Sequence, residues 1–562
     1  MVEAFAVWVV LETFGPVRVT EQKMIGQHGG GLGAAAYKHE FSPVVIVSVA
    51  LFLAISFGTA TVYAHFSFNW PQAEDFFILD WYRRAFVVSD LRISEIIGWA
   101  NGPHPIGALV LLVLGIEKIF GVGLTAVLLV AYGMLICSAA ALAWLASRDL
   151  PEVGLKIAVW AILPLAIFHP MQTNHLLWPF EICWFLITTS LVLSLVLNEV
   201  GGRWGPWLSI MPCVVAMFSS AHGSLLPLFM VVQLLLLPHL GRVNRSILVA
   251  IYLAIFVAGR IWLPDYGRPF SWPQNVGIGA FLIYCFQLVG GMFGYREPRL
   301  VFCLGVLTVV ICAIPLFFVR SSMKPSARVG LLLVLAGTLF VGTFALGRVA
   351  YGLPWALSGF HVAPLMAPFW LGTILISANV ISRRWEWQIK VPAFLAIMLI
   401  AISILTSAFD AHARAVNIRI NRAIGMVKTC EGNSPDYLLA AVNALPGNLY
   451  LLRSTEPLLR QYLCTREIPA SVRGLIFPES YKSLVGENSE LEGPFATLWN
   501  VYISHGDLMQ AFPIEKASTP CNLATFAFRN AQSGSKYEPA LLGPHAEVYS
   551  NTDLVKKVCS SR

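Results

Sequence analysis

Apolar positions along this chain do not alternate with polar ones. They gather into long unbroken runs separated by short polar punctuation, the first from Phe41 to Ala64 and the last from Val391 to Ala408. A hydrocarbon core of about 30 Å is crossed by roughly 20 residues of helix, and most of the runs reach that length. Lipid offers no partner to an open backbone group, so each run is expected to be a helix rather than a strand. The pattern predicts roughly eleven to thirteen spans. Two stretches fit less well: Ile106 to Phe120, interrupted by Glu117 and Lys118, and Val276 to Gly294.

Composition excludes the main alternative. With 57% hydrophobic and 12% charged residues, the chain cannot fold as a water-soluble globule. The net charge of +7 therefore carries no implication of nucleic acid, but the placement of the basic residues does carry one of orientation. Arg320, Lys324 and Arg328 form one cluster and Arg383, Arg384 and Lys390 another, and both are expected on the cytoplasmic side. Arg18, Lys23 and Lys38 precede the first span, which puts residues 1–40 on that side as a tail without the features of a signal peptide. Gly29 to Ala34 lacks a preceding strand and a following acidic residue, so it reads as linker and not as a dinucleotide fingerprint. One conflict follows. If every run crosses, Arg242 and Arg245 fall outside, so one run must not cross, and the two ill-fitting stretches are the candidates.

Beyond residues 41–409, charge density rises, which marks a boundary near residue 410. Residues 410–562 read as a small α+β domain, with strand patterns at Asn448 to Leu452 and Leu523 to Phe528 and helical patterns at Tyr437 to Ala444 and Glu456 to Leu463. The orientation above places it outside the cytoplasm. Of the ten cysteines, Cys430, Cys464, Cys521 and Cys559 belong to this domain, and an even number in an exported domain suggests disulfides, with three pairings open. The other six sit in apolar runs, where cysteine is a small hydrophobe.

Candidate chemistry concentrates in the first external loop, residues 66–105, where Glu74, Asp75 and Asp80 interrupt a chain otherwise poor in charge. Pro71 can open a helix lying along the membrane surface, with Glu74 and Asp75 in its first turn. Such acidic residues can serve only the helix dipole. A carboxylate beside an apolar boundary is also poorly solvated, which raises its basicity toward proton abstraction.

On these residues the chain resembles the GT-C superfamily of polytopic glycosyltransferases, which includes protein mannosyltransferases and lipid A aminoarabinose transferases. In those families an acidic pair in the first external loop supplies the catalytic base. Glu74 and Asp75 match that pair in reversed order, and Asp75 is the expected base. The segments Asn101 to Pro105, Asn174 to Glu181 and Ser219 to Gly223 are similar to recurrent elements of bacterial members. The resemblance implies a GT-C-like helical bundle with an exported C-terminal domain, a multi-pass protein of the bacterial inner membrane. It further implies transfer of a sugar from a polyprenyl-phosphate donor to an envelope acceptor on the periplasmic face, by inverting displacement.

Each supporting residue has a chemical and a structural reading. His104, between prolines, either shapes a turn or contacts a phosphate or hydroxyl. Trp178 and Phe180 suit an interfacial belt or a sugar platform. Glu181 stands at the mouth of an apolar run, where an ionisable group is normally functional or paired. His222 marks a bend or a polar site. Arg348 and Tyr351 would hold a departing phosphate, unless Arg348 only reaches for the interface; Arg83, Arg84, Arg268, Arg296 and His361 are weaker choices. Glu74, Asp75 and Glu181 offer ligands for a divalent metal, but carboxylate number alone does not establish one, and no cofactor is expected. The competing class is a multi-pass transporter or lipid or glycan flippase, which leaves the acidic loop idle; a polymerase or ligase of whole glycans would be expected to carry a large loop late in the membrane region.

Overall fold

The computed structural model describes residues 43–430 except 68–70, 72–74, 102–103, 122, 239, 263–275, 296, 319–322, 350–361 and 384–386. Its elements are α1 (Pro43–Phe66), α2 (Asp75–Tyr82), a π-turn (Arg83–Val87), α3 (Ile93–Ile97), β1 (Ala100–Asn101), β2 (His104–Pro105) and α4 (Gly107–Phe120). They continue with α5 (Leu124–Asp149), α6 (Val153–Ile167), α7 (Thr173–Leu176), a 3-10 turn (Pro179–Glu181), α8 (Ile182–Val200), α9 (Gly205–Leu208) and α10 (Ile210–Met217). A second 3-10 turn (Ala221–Leu225) leads to α11 (Leu226–Leu236), α12 (Arg242–Trp262), α13 (Ile278–Gly290), α14 (Pro298–Phe317), α15 (Pro325–Arg348), α16 (Ala363–Ile381) and α17 (Trp387–Cys430).

Among the described residues, nine helical stretches are long and apolar enough to cross a membrane, and Gly205–Met217 and Ala221–Leu236 are shorter apolar ones. The architecture is that of an α-helical membrane protein. Its centre is α16, whose apolar window is 94% buried, whereas that of α1 is only 17% buried and faces outward. Small residues seat the centre: a Cβ at Gly337 of α15 would lie 2.5 Å from Phe369 N of α16, and one at Gly372 would strike Gly330 O. Without a hydrophobic drive between helices in lipid, such close backbone approach is what gives the packing its dispersion energy.

Side-chain pairs identify the two ends of the bundle. At one end Glu199 pairs with Arg328 at 2.5 Å, Asp149 accepts from Ser326 N, Asn379 donates to Ser326 Oγ, and Gln233 donates to Glu199. At the other end Asp75, His104 and Thr173 meet Phe180, Ser220 and Tyr63. α4 begins at the second end, where Ala108 N donates to Phe218 O, and is followed by α5, which runs from there to Asp149. Ile106 to Phe120 therefore does not cross. α13 does not cross either. α12 arrives beside Met217 at the loop end, and Gly294, which follows α13, packs on Ser407 close to the Ser403 that bonds His169. The conflict over Arg242 and Arg245 disappears, because Arg245 caps Leu237 and Leu240 at the Glu199 end, together with Arg328.

Two expectations about local structure change. α2 does not lie on a surface: Asp75, Phe76, Ile78, Leu79, Asp80 and Trp81 are all buried. The compositional boundary at residue 410 falls inside α17, which continues without interruption to Cys430. Residues 1–40, Glu74, Arg268, Arg296, Tyr351, His361, Cys464, Cys521, Cys559 and the side chain of Cys430 lie outside the described residues, as does the rest of the expected terminal domain.

Candidate functional site

Asp75 is the first residue of α2, where the exposed amides of a helix start favour a carboxylate. Its surroundings go well beyond that effect. Oδ1 accepts from Phe180 N at 3.0 Å, and Oδ2 stands 3.5 Å from Arg422 Nη2. The Asp75 side chain is 0% exposed and that of Arg422 1%. Burial lowers the guanidinium pKa of Arg422, with Asp75 opposing the change. Each charge thus has an opposite one beside it, and an unpaired ion in such a setting costs several kcal/mol.

The turn that Asp75 grips carries the next layer. Phe180 is buried against Phe77 and Trp81, with ring centroids 6.2 Å apart in both cases, and Trp81 meets Trp99 edge-on at 5.7 Å. These rings form the interior of the loop. Phe180 is therefore packing and not an interfacial belt residue. Further out, Asp80 pairs with Arg83 at 2.8 Å, and Arg84 with Asp90 at 3.1 Å and Glu95 at 2.6 Å, so both arginines serve to brace the loop.

Beyond Phe180 the side chains turn polar. Glu181 Oε2 stands 3.2 Å from His175 Nδ1, with side-chain exposures of 16% and 5%. His104, held on the two-residue strand β2 by the pairing Asn101↔His104, places Nδ1 2.9 Å from Ser220 Oγ and 3.4 Å from Ala221 N. A backbone N–H can only donate, so Nδ1 is an acceptor and the ring proton resides on Nε2. Burial, followed by the nearby Arg348, pulls the His104 pKa down to about 4, with Glu181 opposing. The ring is neutral at ordinary pH. His222 stacks on it at 6.1 Å and 17°, and Trp184 and Phe340 enclose His222 at 5.5 and 5.7 Å.

His104, Glu181, His222 and Arg348 thus share one region at the loop end. Arg348, in the last turn of α15, acts electrostatically on both His104 and Tyr284. Asp75 meets the same turn through Phe180 N, one residue before Glu181. The region also holds buried polar atoms with unmet hydrogen bonds. Asn174 Oδ1, Trp178 Nε1, Glu181 Oε2, His222 Nδ1 and Tyr284 Oη are buried without hydrogen-bond partners among the described residues. Buried polar atoms are ordinarily satisfied, so these could accept from or donate to a ligand or water. Among the described residues no three His, Cys, Asp or Glu side chains come together as a metal set.

No family model, no curated protein and no solved structure matches this chain.

Sequence reasoning missed Arg422 and His175. Arg422 left a signal: Ala411, Ala415, Ile418 and Arg422 fall at spacings of four, three and four, one face of a helix continuing past residue 410. His175 left none, because its nearness to Glu181 depends on the short turns between them.

Proposed function

We propose that this chain is a membrane glycosyltransferase, moving a sugar from a polyprenyl-phosphate donor to an envelope acceptor by inverting displacement. The observation that carries the reading is the group of buried, unpartnered donors and acceptors around neutral His104 and cationic Arg348. A polyhydroxylated ring needs many hydrogen bonds of both senses, and a lipid phosphate needs a cation beside them. Arg348 holds the departing phosphate as charge develops on it, and the Nε2–H of His104 supplies a neutral donor. His222, Trp178 and Glu181 face the sugar or the acceptor.

The reaction belongs on the outer face. Arg242, Arg245, Lys324, Arg328 and Arg383 collect at the end opposite the site, and basic residues are retained on the cytoplasmic side. Nucleotide sugars do not reach the periplasm, so the activated sugar must arrive on a lipid, and a helical bundle can admit the tail sideways. The test is an assay of membranes carrying the chain with a panel of radiolabelled polyprenyl-phosphate sugars. Label should enter an envelope acceptor, and Arg348→Gln should reduce transfer on the order of a hundredfold. Movement of the lipid-linked sugar across the bilayer without transfer would replace this reading with a flippase.

A further inference from the structure

A displacement of this kind needs a base for the acceptor hydroxyl, and among the described residues Asp75 and Glu181 meet at the Pro179–Glu181 turn. Resting on the function proposed above, the geometry points to Glu181 as the proton acceptor and to Asp75, with Arg422, as positioning residues that hold it in place.

The distinction is one of access. A general base must come within hydrogen-bond reach of the proton it removes. Asp75 has no exposed surface, and its two oxygens are turned to Phe180 N and Arg422. Glu181 retains 16% of its side-chain surface, although Oε2, which faces His175, is itself buried. It also has an orienting neighbour in His175, 3.2 Å away. The two carboxylates are mechanically joined. The Asp75 bond to Phe180 N fixes the backbone immediately before Glu181, so the buried ion pair sets the position of the more accessible carboxylate. Arg422 reaches the pair from α17, which ties this setting to the last helix of the bundle.

In the step itself, the acceptor oxygen forms a bond to the anomeric carbon as its proton passes to the Glu181 carboxylate. The bond from that carbon to the phosphate oxygen breaks, and its electron pair leaves with the polyprenyl phosphate. Atoms and charge balance without a co-reactant.

The test compares four forms of the full chain in membranes, each checked for folding by detergent melting: wild type, Glu181→Gln, Asp75→Asn, and Asp75→Asn with Arg422→Gln. Glu181→Gln should lower kcat on the order of a hundred- to ten-thousand-fold with the donor KM nearly unchanged. Asp75→Asn should unsettle folding by removing the carboxylate beside buried Arg422, and the double variant should restore folding with kcat lowered far less than in Glu181→Gln. Full transfer by Glu181→Gln, or a folded double variant that loses as much kcat as Glu181→Gln, overturns the assignment. A second arm needs no activity: a water-soluble carbodiimide with an amine should label Glu181 and spare Asp75. If wild type transfers no sugar from any donor, the proposed function fails, and labelling alone decides the carboxylates, the reverse pattern overturning the inference.

Discussion

At the scale of single residues, burial decides more than identity. His104 has its pKa lowered from 6.5 to about 4 by burial and then by Arg348, with Glu181 opposing and His222 stacked on the ring. A folded value below the unfolded one means the group's contribution is complete above pH 6.5 and lost as pH falls through 4. Melting temperature should therefore fall across that interval, and His104→Gln should flatten this part of the profile; an unchanged slope in the variant would assign the loss to other groups. Glu117 has the opposite sign. Both its oxygens are buried without a hydrogen-bond partner among the described residues, and burial raises its pKa from 4.5 to about 8. Its contribution is complete below 4.5 and lost as pH rises through 8, because the folded chain must hold a proton there. Glu117→Gln should gain on the order of 2 kcal/mol when melting is measured at pH 8, and a loss would show that the carboxylate finds a partner.

At the scale of elements, contacts with neighbours override what each segment suggests alone. α2 carries carboxylates and arginines that suit a surface helix, yet Phe76, Ile78, Leu79 and Trp81 leave it buried on most sides beneath the 179–181 turn. The central contact between α15 and α16 depends on glycines, since the backbone of α16 occupies the place of a Cβ at Gly337. Gly337→Leu should separate these helices and lower stability by several kcal/mol, by overpacking. The expected signs are a sharp drop in detergent melting temperature and early proteolysis; Gly342→Ala, where nothing lies within 4 Å, should leave both unchanged.

At the scale of the whole molecule, direction of travel is the property to test. Two apolar stretches return to the end at which they begin, which places Ser94 and the exposed Tyr295 at one end and Arg203 at the other. A membrane-impermeant maleimide should label Ser94→Cys and Tyr295→Cys from the same side and Arg203→Cys only from the opposite side. Labelling of Tyr295→Cys together with Arg203→Cys would mean that α13 crosses. The same return explains how Arg242 and Arg245 join Arg328 at one end, an arrangement that counting apolar runs could not produce.

The helical membrane class was written in the chain itself, because apolar run length and backbone satisfaction in lipid leave no other solution. The doubtful crossings at 106–120 and 276–294 were visible too, as interruption and shortness, since hydropathy registers length and charge directly. What hydropathy cannot register is which side chains meet across the bundle. Asp75 was legible as a carboxylate at a helix start, but its burial against Arg422, 347 positions away in sequence, exists only once α17 folds back over the loop. The convergence of His104 with Ser220, at a separation of 116, likewise required two turns to be brought to one end. Long-range pairing of this kind leaves little trace in local pattern, because the chain pays for it in tertiary packing and not in propensity.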